Sequence, residues 1–347
     1  MSGSGRGIKL AKYDCISYIL NMKRIGLFFG GLSNEHEISV LSALNIAKYF
    51  DNKKNKLVPI FWDKNGEFFI TPDIRNLKNR KKIAIENFRK IINSAFLITH
   101  GKFGEDGILQ AILESQRITY SGCHVLASAL CMDKGICKTL LAGYKIPQAK
   151  YACIDFSIDP PKMVLLEIQY VRKHLRLPIF VKPANSGSSV GITKVISFSG
   201  MKNAIRKAKR HDSKIIFEEG FTDHREVEVA ILGNKKLIIS EPGELIVPKG
   251  FYDYDEKYKK NRTQVVIPAL LDAAVARKVK QLAEKVYRIC GCTGFARIDF
   301  FIKNNRVFVN EINTLPGFTD ISMYPRLMEN AGISYKKLIS KIIELAY

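Results

Sequence analysis

Residues able to do chemistry are densest between Ala296 and Thr319, in the stretch ARIDFFIKNNRVFVNEINTLPGFT. Two β-rich segments, Ala296–Ile302 and Arg306–Ile312, flank the polar turn Lys303-Asn304-Asn305 and read as a hairpin. With a side-chain period of two, Arg297 and Asp299 share one face of the first strand, and Glu311 and Asn313 share one face of the second. Pairing of the strands brings three oxygen donors, Asp299, Glu311 and Asn313, beside a cation, Arg297. Hard oxygen ligands with few carboxylates suit Mg²⁺, which keeps waters and bridges to substrate phosphates. The Leu-Pro-Gly-Phe-Thr turn that follows offers backbone N–H groups near such a metal, that of Gly317 among them. A solvated polar face would account for three such residues alone. Their place within apolar strands, where unpaired burial is costly, points instead to a metal–phosphate site.

The elements that must position this face begin near Lys23. From there to Gly122, short apolar runs alternate with helical patterns: a buried strand at Ile25–Phe29, a helix near Ile38–Phe50, strands at Leu57–Trp62 and Ala95–Thr99, and a helix at Gly107–Ser115. This βα order predicts a mostly parallel sheet with ligands at the carboxyl ends of its strands. Two Gly-rich stretches fall at such ends, Gly30-Gly31-Leu-Ser33-Asn-Glu35-His36-Glu37-Ile-Ser39 and His100-Gly-Lys-Phe-Gly104-Glu105-Asp106-Gly107. Glycine lets backbone approach a ligand closely, and Glu35 is able to clamp an amine. Either stretch by itself also suits a Gly-rich turn with an acidic helix N-cap.

A middle unit runs to Glu219. Met132-Asp133-Lys134 opens an amphipathic helix to about Ala142, closed by Gly143 as a C-cap, and Pro160-Pro161 breaks the chain before another helix. Between them Pro147 opens a strand region. The informative part is Ile179-Phe-Val-Lys182-Pro-Ala-Asn-Ser-Gly187-Ser188-Ser189-Val-Gly191-Ile192, which reads as strand, Gly/Ser loop, strand, with a lysine on the strand lip. Such a loop can fold over phosphates with N–H and hydroxyl donors. It is not a Walker loop, because no helix bearing Lys-Ser/Thr follows. A solvated hairpin loop is the plain alternative, but Lys182 in an apolar strand needs an anionic partner. The strand Ile215–Glu218 closes this unit, and the last unit brings the Tyr-rich acidic loop Gly250–Tyr258 and the strand Gln264–Ile267. Asp272–Cys290 is a long amphipathic helix, and Ser334 caps a final helix to Ala346.

Taken in order, these stretches resemble the motifs of the ATP-grasp ligases, most closely the D-alanine–D-alanine ligases. The likeness rests on Gly-Gly-x-Ser-x-Glu-x-x-x-Ser at Gly30, His-Gly-x-x-Gly-Glu-Asp-Gly at His100, the Val-Lys-Pro and Gly-Ser-Ser-Val-Gly segments, the Glu218–Leu232 segment, and Arg-x-Asp with Asn-Glu-x-Asn-Thr-x-Pro-Gly. It covers residues 23–347, and five motifs in family order make it specific. The resemblance implies an α/β (α+β) protein of three-unit ATP-grasp architecture with an N-terminal Rossmann-like parallel sheet domain. Residues 1–22 would be a leader or extension, 23–122 the substrate domain, 123–219 the central subdomain with the phosphate loop, and 220–347 the C-terminal subdomain with the Mg²⁺ site.

By the same resemblance, the reaction joins two D-alanines with ATP through an acylphosphate, supplying a peptidoglycan precursor in a bacterium. Glu35 would bind the ammonium of the first D-alanine, His100 would lie near the substrate pocket, and Ser322 would meet the second carboxylate. Lys134, Lys182, Lys257, Ser188 and Ser189 would contact the nucleotide, and Glu226 the ribose hydroxyls. Phe221–His224 carries an inserted residue relative to the family pattern, which leaves Glu218 and Glu219 both open as the adenine-side residue. Tyr258 would bond Ser188 and, through it, Glu35; its presence favours the dipeptide over D-alanyl-D-lactate and leaves D-serine open. Arg297 and the Gly317 N–H would hold the oxyanion, and Asp299, Glu311 and Asn313 the metal. ATP and two Mg²⁺ ions are the implied cofactors, with Mn²⁺ as a substitute and K⁺ activation left open. D-alanine, ATP and a second copy of the chain, in a homodimer through the N-terminal unit, are the implied partners.

Composition bears on the alternatives. Apolar residues make up 46% of the 347 and charged residues 25%, ordinary for a soluble globular protein. No apolar run reaches the length of a membrane span. Ile8–Leu20 is broken by Lys9, Lys12 and Asp14 and makes a poor signal peptide, so Met1–Asn21 read as a leader and the expected location is the cytoplasm. The seven cysteines, at 15, 123, 131, 137, 153, 290 and 292, are scattered; only Cys290-Gly-Cys292 is close-spaced, nothing has the paired spacing of a zinc site, and reduced buried thiols are expected. The net charge of +22 attracts polyanions and raises a nucleic-acid-binding protein as a reading from another class. Yet the lysines are spread, no DNA- or RNA-binding motif accompanies them, and the densest runs, Lys78–Lys82 and Lys257–Arg262, read as solvated loops. Neither a specific nucleic acid nor a membrane is expected as a partner.

Overall fold

The computed structural model describes residues 22–246 and 264–347. Lys257, Tyr258 and the rest of the Gly250–Tyr258 loop, like residues 1–21, lie outside the described residues.

The first sheet contains β1 (Lys23–Gly30), β2 (Asn55–Trp62), β3 (Phe68–Ile70), β4 (Lys81–Ile83), β5 (Ser94–Leu97) and β6 (Thr119–Tyr120), in the order β4-β3-β2-β1-β5-β6. β1 pairs in parallel with β2 on one side and β5 on the other, and its last six residues are all buried, as a central parallel strand requires. Strand order therefore reverses at β1, and a crevice opens beyond the carboxyl ends of β1 and β5. Helix α1 (His36–Tyr49) leaves from the first of these ends, and α2 (Ile108–Ser115) follows the second. The Lys78–Lys82 run has a structural explanation: β4 is the edge strand, and exposed Lys81 and Lys82 keep a sheet edge from pairing with another chain.

Two helices, α3 (Val125–Met132) and α4 (Lys134–Gly143), meet at Asp133, whose carboxylate accepts from the Ile136 N–H at 2.9 Å. Gly143 is not the C-cap. The helix runs through it, and the left-handed residue is Lys145 (φ 55), whose N–H reaches Ala142 O at 2.9 Å while the Ile146 N–H reaches Leu141 O at 3.0 Å. This is a Schellman closure, driven by burial of Ile146 with Leu141 in one core cluster. The second sheet, β7 (Tyr151–Asp155), β8 (Ile179–Pro183), β9 (Thr193–Val195) and β10 (Lys214–Glu219), is antiparallel in the order β7-β10-β8-β9. Helices α5 (Pro161–His174) and α6 (Met201–Ala208) lie against it.

The third sheet joins β11 (Arg225–Leu232), β12 (Ile238–Ile239), β13 (Gly243–Ile246), β14 (Gln264–Val266), β15 (Phe295–Lys303) and β16 (Arg306–Asn313). Helix α7 (Ala273–Ile289) buries Val275, Val279, Leu282, Ala283, Val286 and Tyr287, one stripe at helical spacing, against it. The β15–β16 turn is tighter than the expected three residues. Lys303 pairs with Arg306, leaving Asn304 (φ 49) and Asn305 (φ 57) as the left-handed pair of a type I′ hairpin. Helices α8 (Met323–Asn330) and α9 (Tyr335–Glu344) return to the first sheet, where Tyr324, Leu327, Ile339 and Ile342 share a core with Phe28 and Phe96. Ser334 stands at the N-cap of α9, but its side chain makes no capping bond. No described helix is long and apolar enough to cross a membrane.

Candidate active site

The expected hairpin face forms, and the structure adds a third strand to it. Across β15 and β16, Arg297 faces Asn313 and Asp299 faces Glu311. On the other side of β15, Asp299 faces Glu228 of β11. Three carboxylates, Glu228, Asp299 and Glu311, therefore stand in one row across three strands, and like charges directly opposite repel. Arg297 offsets part of that charge. Its guanidinium donates to both oxygens of Asp299 at 2.7 and 2.8 Å and lies 2.9 Å from Glu228. Asn313 donates to Asp299 at 2.9 Å. A β-bulge just beyond Asp299 ends the row by shifting the register before Phe300 meets Val309. Each carboxylate oxygen has a second lone pair, so Asp299, Glu311 and the Asn313 carbonyl remain able to ligate a hard divalent cation. Three carboxylates and an amide carbonyl on one face are a donor set that fits such an ion.

This face forms one wall of a cavity of about 260 Å³ whose lining includes Glu35, His100, Lys134, Ser188, Arg297, Glu311, Asn313, Gly317 and Ser322. The opposite wall comes from the first sheet. Gly30 has φ +89, and a Cβ there would stand 2.3 Å from Trp62 O, so only glycine permits the turn that starts α1. Ser33 fastens this turn to the next one, donating to His100 O at 2.6 Å and accepting from the Glu35 N–H at 3.1 Å. The Gly/Ser loop arrives from the second sheet with Ser188 (φ 49) and Ser189 (φ 60) both left-handed, and Ser188 donates its hydroxyl to the Glu35 carboxylate. A Cβ on Gly187 would lie 2.5 Å from Glu35 Oε2, which is how closely the loop approaches. Lys134 supports the loop by donating to Ser186 O at 2.7 Å, and its ammonium is 4.0 Å from Glu311.

Behind this loop two lysines share one acid. Glu218 is buried, paired with Lys138 at 2.7 Å and with Lys182. Burial alone would push its carboxyl up, but the two ammonium groups overcome that and bring it down to about 2. Lys182 is held above the usual lysine range: burial works against its charge, and Glu218, Glu311 and Glu226 outweigh it. Glu218 is thus the one of the adjacent pair that joins this network, whereas Glu219 accepts from the Arg176 N–H at 3.0 Å. Glu226 is 3.4 Å from His224. On the C-terminal side, the Ser322 hydroxyl lies 2.7 Å from that of Thr319 and accepts from its N–H at 3.0 Å, and a Cβ on Gly317 would stand 2.8 Å from the Ser322 oxygen.

Four residues of this neighbourhood were given no role by the motif reading. Glu228 and Glu226 alternate on β11, a period-two signal, but only the long-range pairing with β15 shows its use. Lys138 sits one turn beyond Lys134 on α4. Arg326, on α8, adds a cation to the cavity lining. Glu105 ties the two halves together: its carboxylate accepts from the N–H groups of Thr314 at 3.1 Å, Leu315 at 3.2 Å and Gly101 at 3.2 Å. Buried His100 helps fix the same turn. It is 2.8 Å from Leu315 O, a bond only its Nδ1–H can donate, and 3.1 Å from Ser42 Oγ, which in turn accepts from the Phe318 N–H at 3.2 Å. Burial holds the imidazole below its ordinary pKa, in its neutral form.

Burial, with the Glu35 charge second, raises the Glu105 carboxyl to about 7. Its folded-state value lies above the unfolded one of 4.5, so its share of stability is present below pH 4.5 and is lost as pH rises through about 7. At about 1.4 kcal/mol per pKa unit, the loss between pH 5 and pH 8 is roughly 2–3 kcal/mol. Urea unfolding at the two pH values is expected to show that difference between the native chain and Glu105→Gln. Parallel pH profiles would overturn the assignment.

The comparisons agree with this geometry. Residues 24–123 match the D-ala D-ala ligase N-terminus family model, and residues 140–344 match the D-ala D-ala ligase C-terminus model. A D-alanine–D-alanine ligase of Halothermothrix orenii is 43% identical over 93% of this chain and 98% of its own length. One of Caldicellulosiruptor bescii is 41% identical over 93% and 94%. Among solved structures, the VanG D-Ala:D-Ser ligase of Enterococcus faecalis has a TM-score of 0.85 at 32% identity, covering 94% of this chain and all 100% of that one. The D-alanine–D-alanine ligase of Coxiella burnetii has a TM-score of 0.81 at 32% identity, over 94% of each chain. Three sheets around a cavity, a phosphate-type loop and an acidic hairpin make this an ATP-grasp fold, and the chain belongs to the D-alanine–D-alanine ligase family.

Proposed function

We propose that this enzyme joins two D-alanines into D-alanyl-D-alanine at the expense of ATP, releasing ADP and phosphate, as a step toward peptidoglycan. The observation that carries the reading is the contact of Ser188 with Glu35 above a cavity floored by Arg297, Glu311 and Asn313. One side of the cavity then offers a carboxylate for an ammonium, and the other a cation-binding face for phosphates.

A carboxylate is a poor electrophile, so the first D-alanine must be activated. Its carboxylate oxygen attacks the γ-phosphorus of ATP, the bond to the bridging oxygen breaks, and ADP leaves. Positioning and charge neutralisation are most of what a protein supplies to such a transfer. Glu35 holds the substrate ammonium, and the Gly187–Ser189 loop, Lys134 and Lys182 hold the phosphates. Asp299, Glu311 and Asn313 are the residues that would hold Mg²⁺, which when bound neutralises phosphate charge and polarises phosphoryl oxygens. The amine of the second D-alanine then attacks the acyl carbon, and phosphate departs. Arg297 and the Gly317 N–H are the donors for the tetrahedral oxyanion. The second carboxylate is received by Ser322 at the N-terminus of α8, with Arg326 a further cation on the wall. Glu226 serves the ribose, and Glu218 reaches the nucleotide through Lys182 and Lys138. We assign residues 23–122, 123–219 and 220–347 as the three functional units.

A D-serine acceptor is the second reading, favoured by the likeness to a D-Ala:D-Ser ligase. Phosphate release from Mg-ATP with D-alanine, D-serine, D-lactate or L-alanine, with products weighed by mass spectrometry, separates the two. D-alanyl-D-alanine from D-alanine alone is the expected result. A product made only when D-serine is added would move the assignment to that acceptor.

A further inference from the structure

The sequence shows no metal-type cysteine spacing, yet the fold gathers the thiols. Cys131 lies near the end of α3, Cys137 in the first turns of α4, and Cys290 at the C-terminal end of α7, and all three are buried. Their Sγ atoms lie within 4.8 Å of one another. Cys292, two residues beyond Cys290 and buried in the same core cluster, stands close by as a fourth sulfur. A buried cysteine acting only as a small apolar residue has no need to face other sulfurs, whereas here three thiols from three helices do so, with Cys292 in the same core. We infer that Cys131, Cys137 and Cys290, with Cys292 as the fourth ligand, form a binding site for a thiophilic d¹⁰ cation of the Zn²⁺ type.

The dimensions suit this. Zinc–sulfur bonds of about 2.3 Å in a tetrahedron place sulfurs roughly 3.8 Å apart, so the Cys131, Cys137 and Cys290 sulfurs have to contract by about 1 Å at most, with Cys292 swinging in to complete the set. Binding releases the thiol protons, and the cation offsets the resulting thiolate charge. Cys131 also lines the catalytic cavity, which gives the ion a path in. A cation here would staple the Asp133 elbow, which carries Lys134 and Lys138, to the end of α7 and the start of β15.

The test uses the full chain, purified under reducing conditions and titrated with Co²⁺. Sulfur-to-cobalt charge-transfer absorption at one equivalent is expected, bleached by Zn²⁺; oxygen ligands at Glu311 and Asp299 give no such band. Cys137→Ser and Cys290→Ser should lose it, and Cys153→Ser, outside the group, should keep it. Should the serine variants fail to fold by circular dichroism, the native chain still decides: Zn²⁺ at one equivalent should survive desalting and shield Cys131, Cys137, Cys290 and Cys292 from a thiol reagent. No charge-transfer band, a band that persists in Cys290→Ser, or a Cys131–Cys137 disulfide in the freshly isolated protein would each overturn the site.

Discussion

Glu311→Gln is expected to lower turnover at least about 10³-fold while leaving the fold intact. Metal stabilisation of transferring phosphoryl charge is worth several kcal/mol, and about 4 kcal/mol corresponds to that factor. The substitution keeps shape and hydrogen-bonding capacity but removes the ligand charge. Stability should not suffer, because Glu311 is one of three carboxylates in a row and its side chain is 31% exposed. Relieving a cross-strand like-charge pair is worth a few tenths of a kcal/mol in favour of the variant. ATP binding should persist, since Lys182 takes its charge balance chiefly from Glu218. Phosphate release, nucleotide binding and thermal unfolding, measured together, separate the outcomes. Undiminished turnover would remove Glu311 from the metal site, and turnover lost together with the fold would make its role structural.

How much was legible follows from the range over which each interaction acts. The hairpin of β15 and β16 was readable because a period of two fixes which side chains share a face, although its turn proved one residue tighter than the polar run Lys303-Asn304-Asn305. The loops after β1 and β5 were readable because βα alternation places ligands at strand ends. What stayed hidden depends on pairing between distant segments. Glu228 becomes a site residue only because β11 lies beside β15, and Lys138 only because α4 packs over β10, where Glu218 waits. The helix stop at Gly143 failed for a related reason: burial of Ile146 with Leu141 sets the closure two residues later, and Lys145 takes the left-handed conformation despite its side chain. The described cysteines are free and, Cys153 apart, buried, as expected, but their gathering stayed hidden because it needs three helices to converge.

Arg297→Met should unfold far more easily than the native chain, by about 3–5 kcal/mol at neutral pH. Its guanidinium lies 2.9 Å from Glu228 and 2.7 Å from Asp299, whose side chains are 8% and 11% exposed. Removing one partner of a buried pair leaves uncompensated charge, and here it leaves two carboxylates facing each other across strands. The pH dependence distinguishes this from a simple packing defect. Without Arg297 the two acids face each other across the strands, so taking up a proton relieves their repulsion in the folded variant but not in the unfolded chain. Its stability is then greatest below the ordinary carboxylate range and falls as pH rises, and the deficit against the native chain should be larger at pH 8 than at pH 5. Adding Glu228→Gln should recover part of the loss at pH 8 and little of it at pH 5. Urea unfolding of the two variants at both pH values measures this, and a deficit equal at the two would mean that Arg297 stabilises by packing its stem rather than by holding apart the acids on which the metal face is built.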